Sequence, residues 1–82
     1  MVSPETHQLI ERAERLYEER FKAKLEATHM HSFVAIEPES GEYFVGPTLS
    51  EASAACRAVY PDRRACVLRV GHRAAVHMGG ML

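Results

Sequence analysis

The stretch FVAIEPESGEYFVG, residues 33–46, decides the fold. Its two ends, FVAI and YFV, are rich in the β-branched and aromatic residues that favour strands. The segment between them has turn chemistry, with Gly41 able to adopt a positive φ and Pro38 unable to donate to a strand ladder. The sequence therefore predicts a β-hairpin over residues 33–45.

The first strand of this hairpin is apolar on both sides. Because side chains alternate along a strand, Phe33 and Ala35 face one side of the sheet, whereas Val34 and Ile36 face the other. A strand of this kind needs cover on both faces. One short helix cannot give that cover alone, so either a long helix of the same chain or a second subunit is expected on the other face. This requirement is the strongest indication of association in the sequence.

A long helix is predicted before the hairpin, over residues 4–27. Ser3 is a good N-cap, Pro4 suits the first helical position, and apolar residues then recur at helical spacing. A second helix is predicted over residues 50–60 and ends before Pro61, because proline disfavours helical geometry in the preceding residue.

The rest of the chain completes a small α+β domain. Residues 65–70 are predicted to form a third strand, which is expected beside the first or the second strand. Residues 74–78 are a candidate for a short fourth strand. The order is α-β-β-α-β(-β), a sheet of three or four strands with helices packed on it, in a single domain of residues 1–82.

Composition excludes several classes of protein. At 46% apolar and 26% charged residues, the chain is too apolar to be disordered. Its apolar runs are too short to span a bilayer, and the N-terminus lacks the features of a signal peptide. We therefore expect a cytoplasmic protein without membrane contact.

No catalytic motif is recognisable. The chain lacks a GxSxG elbow, a phosphate-binding glycine loop and the HExxH spacing. Cys56 and Cys66 are interpreted as small buried hydrophobes, and the glutamates at 37, 39 and 42 as a solvated hairpin tip. The five histidines are scattered, so we predict no enzyme, no cofactor and no metal.

Two sets of residues are predicted to contact a partner. Tyr17 and Phe21 would do so if the first helix is shared between subunits, and Arg69, His72 and Arg73 would do so if the C-terminal turn docks. Residues 52–82 carry five arginines and one acid, against five basic residues and ten glutamates in residues 1–51. This asymmetry leaves open an alternative, a regulator that contacts nucleic acid through its C-terminal arginines.

The sequence also contains a series of short motifs, which begins with the hairpin and continues beyond it. The later pieces are Thr48 with Glu51-Ala52, then YPDR at 60–63, then RVGH at 69–72 with Ala74-Ala75. This pattern resembles DUF5678-like domains, a group of small bacterial proteins of unknown function, and it covers a little over half of the chain. The third strand departs mildly from the group, because CVL at 66–68 replaces a run richer in valine and isoleucine.

The resemblance implies an antitoxin-like or accessory partner of a neighbouring gene product, a toxin or a hydrolase, and transfers no catalytic residues. The predicted function is thus a non-enzymatic protein-binding accessory or antitoxin-like regulatory module that acts as a homodimer.

Overall fold

A computed structural model describes residues 4–72 and 77–79. It confirms the predicted α+β fold, with helices packed on a small antiparallel sheet. The elements, in chain order, are α1 (Pro4–Leu16), a π-helical turn (Tyr17–Phe21), α2 (Lys22–Thr28), β1 (Phe33–Ile36), β2 (Tyr43–Gly46), α3 (Leu49–Val59), β3 (Ala65–Arg69) and β4 (His77–Gly79). Of the predicted short strand at 74–78, residues 74–76 lie outside the described residues.

The sheet has the strand order β2-β1-β3-β4, and each neighbouring pair is antiparallel. The sequence left the third strand beside either the first or the second, and the structure places β3 beside β1. In this register Val34 lies opposite Val45 of β2 on one side and Leu68 of β3 on the other. The strand that is apolar on both faces therefore occupies a central position in the sheet.

The chain covers both faces of the sheet with its own helices. On one face Val34, Ile36 and Leu68 pack against the N-terminal helical segment, through Tyr17 and Leu25. On the other face a second cluster forms between the sheet and α3, and its buried members are Ala35, Ala52, Cys56, Ala65 and Val67. Of the two alternatives that the sequence left open, the long helix is the one that supplies the second cover. The need to cover both faces of the sheet therefore gives no reason to expect a dimer.

The π-helical turn decides which side chains of the N-terminal helix reach the sheet. In a regular α-helix, Lys24 would follow Tyr17 by about two turns and would face the same way. The wider π turn accommodates one extra residue and so brings Leu25 to that position instead. Leu25 is buried, whereas Lys24 is exposed. The turn therefore places leucine rather than lysine in the core.

Helix α3 lies close to the sheet where β2 ends. Thr48 caps the helix, since its hydroxyl accepts a hydrogen bond from the Glu51 amide at 3.1 Å. Gly46 lies so near the helix that a Cβ at this position would be 2.7 Å from the Ala52 nitrogen. Glycine at 46 is therefore required by the close approach of the two elements.

Candidate functional site

The predicted partner-contact residues that the structure describes do not form one surface. Tyr17 lies in the core, Phe21 lies beside strand β2, and Arg69 and His72 lie at the end of β3. Arg73 lies outside the described residues.

Tyr17 is only 6% exposed and contributes to the packing between the N-terminal helix and the sheet. Its hydroxyl accepts a hydrogen bond from the Gly71 amide at 3.5 Å. Burial raises the pKa of Tyr17, and the Gly71 bond only partly opposes this effect. The Tyr17 ring therefore packs within the core of its own chain.

Phe21 borders the open edge of the sheet. Its ring centre lies 4.5 Å from that of Tyr43 on β2, and the Lys24 ammonium lies 6.0 Å from the Tyr43 ring centre. Strand β2 has β1 as its one neighbour in the sheet of the described residues. Its side chains at 43, 44 and 45 are each only partly buried. We refer to the unpaired side of residues 43–46 as the β2 edge.

The ladder identifies which backbone groups the β2 edge presents. The Glu37 amide donates to the Glu42 carbonyl at 2.9 Å, so these two residues form a hydrogen-bonded pair. Hydrogen-bonded and non-hydrogen-bonded pairs alternate along an antiparallel ladder. The N–H and C=O groups of Phe44 therefore face β1, whereas those of Tyr43 and Val45 face away from the sheet.

A pair of histidines lies where β1 begins and β3 ends. The Nδ1 atom of His31 is 2.7 Å from the Nε2 atom of His72, and the ring centres are 4.9 Å apart. Forty-one positions separate these residues in the sequence, so no local motif indicates the pair. Both residues are exposed.

Arg69 flanks this histidine pair. Its Nε donates to the His31 carbonyl at 3.2 Å, and its guanidinium lies 5.4 Å from the centre of the Phe33 ring. Desolvation, the positive charge of Arg69 and the proximity of His31 all lower the pKa of His72. The predicted docking residues Arg69 and His72 therefore lie together, but His31 is the neighbour that the sequence did not reveal.

The hairpin tip differs from the prediction of three solvated glutamates. Glu37 is 1% exposed, whereas Glu39 and Glu42 are exposed. The Glu37 carboxylate accepts hydrogen bonds from the amides of Glu39 (3.0 Å) and Ser40 (2.7 Å) and from Nη1 of Arg63 (3.0 Å).

The buried carboxylate is stabilised in its ionised form. Burial alone would raise the pKa of Glu37, but the hydrogen bonds from the turn and from Arg63 outweigh it, and the pKa lies below its usual value. An acid that stays ionised in this way is suited to holding the turn together rather than to transferring protons. The adjacent Pro38 is also fully buried.

Arg63 and Arg69, two arginines of the C-terminal half, do not lie on one edge. Arg63 precedes β3 and is paired with Glu37, whereas Arg69 ends β3 and stacks on Phe33. The two guanidinium groups therefore serve opposite ends of the strand.

Both cysteines are buried in the core, as predicted. Burial raises the pKa of the Cys56 thiol, and it raises that of Cys66 to about 12. Neither thiol is therefore an effective nucleophile at neutral pH.

No group of three or more histidine, cysteine, aspartate or glutamate side chains in residues 4–72 and 77–79 is arranged to hold a metal ion. Among the helices of that same part of the chain, none is both long enough and apolar enough to cross a membrane.

The chain matches no family model, no curated protein and no solved structure. The resemblance of residues 33–80 to DUF5678-like domains therefore remains a prediction.

Proposed function

We propose that this chain is a non-enzymatic protein-binding module, of the accessory or antitoxin-like kind, that acts as a homodimer joined along the β2 edge. The observation that carries the proposal is the open edge itself, with Tyr43, Phe44 and Val45 only partly buried beside it. Exposed strand edges are templates for pairing with another chain, and strand addition is a recurring mode of protein recognition.

The β2 edge is suited to pairing with a second copy of itself. In an antiparallel pair centred on Phe44, Tyr43 of each copy lies opposite Val45 of the other. These are the residues whose N–H and C=O groups face outward, so each copy can donate to and accept from its partner. The two Phe44 rings then meet at the centre, on the face covered by α3.

The dimer is expected to be weak. Strand β2 has four residues, and Pro47 directly after it cannot donate to a ladder. Interfaces this short bury less area than stable dimers do and dissociate on dilution. Such an exchangeable edge also suits a module that takes up a different partner.

The geometry favours this function over the nucleic-acid alternative. Arg63 is neutralised by a buried carboxylate, and Arg69 lies at the other end of β3. Arg63 and Arg69, separated in this way and with Arg63 already paired, are together poorly placed to follow a phosphate backbone. The alternative instead predicts measurable DNA binding at low salt, with an affinity that falls steeply as salt is added.

Sedimentation velocity over a wide range of protein concentration tests the dimer, with Val45→Pro and Val45→Ala as a matched pair. Proline removes the outward N–H of position 45 and leaves the ladder to β1 intact, because that N–H does not face β1. Alanine retains the N–H and loses a similar amount of packing.

The wild-type chain and Val45→Ala should form a dimer as concentration rises, whereas Val45→Pro should stay monomeric. Far-UV circular dichroism checks that both variants are folded. A wild-type chain that is monomeric at every concentration would refute the proposal, as would a proline variant that dimerises as well as the alanine variant.

Binding to a neighbouring gene product is tested separately, by co-purification of the untagged chain with that product. The same position-45 variants then show whether the second partner uses the β2 edge. A partner that binds Val45→Pro and wild type equally would place its contact elsewhere on the domain.

A further inference from the structure

The histidine pair lies outside the proposed dimer interface. His31 and His72 direct ring nitrogens at each other across a gap of 2.7 Å, at the end of the β1–β3 ladder and away from the β2 edge. We propose that His31 and His72 form a binding site for a divalent late-transition-metal ion of the zinc or copper class. Imidazole is the side chain that these ions prefer among neutral ligands.

The backbone holds both histidines in place. His31 adopts a left-handed conformation, with φ of 71°, and its amide donates to the Val70 carbonyl at 3.0 Å. His72 follows Gly71, whose φ is 81°, and its amide donates to the Arg69 carbonyl at 3.1 Å. The two rings therefore project from fixed backbone positions just before β1 and just after β3, which lowers the entropy lost when an ion is bound.

The separation of the nitrogens is close to what a metal needs. Zinc–imidazole bonds of about 2.0–2.1 Å at a tetrahedral angle place two ligand nitrogens about 3.3 Å apart. The observed 2.7 Å would have to widen by about 0.6 Å, a change that small ring rotations can supply because both side chains are exposed. Water would complete the coordination, since the described residues offer no third histidine, cysteine or acid there.

The charge around the pair limits the affinity. The positive charge of Arg69 acts against a cation, because its Nε lies at the His31 carbonyl. The expected affinity is therefore well below that of a structural zinc site with four protein ligands.

A hydrogen bond between two imidazoles, with no role in metal binding, is the competing explanation. Zinc titration of the untagged chain, followed by calorimetry and by the histidine ring signals in NMR, distinguishes the two. The variants are His31→Asn and His72→Ala, because asparagine tolerates the left-handed backbone at 31 better than alanine does. The controls are His7→Ala and His29→Ala, which remove exposed histidines that lie outside the pair.

The proposal predicts one zinc ion per chain, with simultaneous shifts of the His31 and His72 ring signals. Each pair variant should weaken binding about tenfold or more, whereas each control should bind like wild type. Equal binding by wild type and His72→Ala, or one ion shared by two chains, would overturn the site. Because the β2 edge lies elsewhere, failure of zinc binding would leave the dimer proposal unaffected, and a monomeric chain could still bind zinc.

Discussion

The buried carboxylate of Glu37 allows a sharp test of how the hairpin is stabilised. We expect Glu37→Gln to lower the free energy of unfolding by about 2–3 kcal/mol. Oε1 of Glu37 accepts from the Ser40 amide and from Arg63, and Oε2 accepts from the Glu39 amide. Glutamine keeps one acceptor oxygen, so one donor in a buried site faces an NH2 group, and losing a hydrogen bond to a charged group costs about 1.5–3 kcal/mol.

The Arg63 ion pair adds less to this figure. The Arg63 side chain is 42% exposed, so water can solvate its charge when Glu37 is neutral. Pairs with such exposure contribute about 0–1 kcal/mol. For a domain of this size, 2–3 kcal/mol corresponds to a fall in Tm of about 10–20 °C.

Urea unfolding followed by far-UV circular dichroism measures the effect, with Glu39→Gln as the matched control. Glu39 undergoes the same chemical change two positions away, but its side chain is exposed, so its variant should stay within about 0.5 kcal/mol of wild type. If Glu37→Gln were as stable as Glu39→Gln, the turn would not depend on the carboxylate, and the reasoning would be refuted.

The same variant has a defined pH signature. The pKa of Glu37 is lower in the folded chain than the value of about 4.3 expected in the unfolded chain. Ionised Glu37 therefore adds stability above about pH 4.3, and this contribution is lost as the pH falls through the lowered folded pKa. Glu37→Gln should show a shallower loss of stability between neutral and acid pH than wild type.

Three further changes test the packing. Gly46→Ala should destabilise the chain by about 2 kcal/mol in urea unfolding, because its Cβ would press on the Ala52 nitrogen; a change within 0.5 kcal/mol would contradict the close approach. Thr48→Ala should cost about 1 kcal/mol through loss of the α3 cap, while Ser50→Ala, an exposed change in the first turn, should cost less. The Cys66 thiol, with a pKa of about 12, should resist iodoacetamide at pH 8 and react once urea unfolds the chain; rapid labelling of the folded chain would show that it is not buried.

The fold was predictable because its signals are local or periodic. The hairpin turn around Gly41 and the apolar spacing of the first helix can both be read from neighbouring residues. The apolar residues on both sides of Phe33–Ile36 correctly predicted that both faces of the sheet are covered. It could not say whether a helix or a subunit supplies that cover, since this depends on where a distant segment packs.

The candidate site was harder to predict from the sequence because its contacts join residues that are far apart in the chain. Glu37 and Arg63 are 26 positions apart, and the exposed turn predicted for the first gave no reason to look for the second. His31 and His72 meet only because β3 pairs with β1 rather than with β2. Strand order is set by the whole domain, so spacing alone could not bring these residues together.

The π-helical turn ties the length of the N-terminal helix to the identity of its inward residues. Deleting Glu19 would place Leu25 seven residues after Tyr17, so Tyr17–Phe21 could become ordinary α-helix with Leu25 still facing the sheet. Straightening the turn without a deletion would instead bring Lys24 to the sheet and move Leu25 aside, a loss on the scale of removing a buried leucine, about 2–5 kcal/mol. A related chain that is one residue shorter here should therefore have a regular helix and keep the same core leucine, and an alignment should place its gap within Tyr17–Phe21.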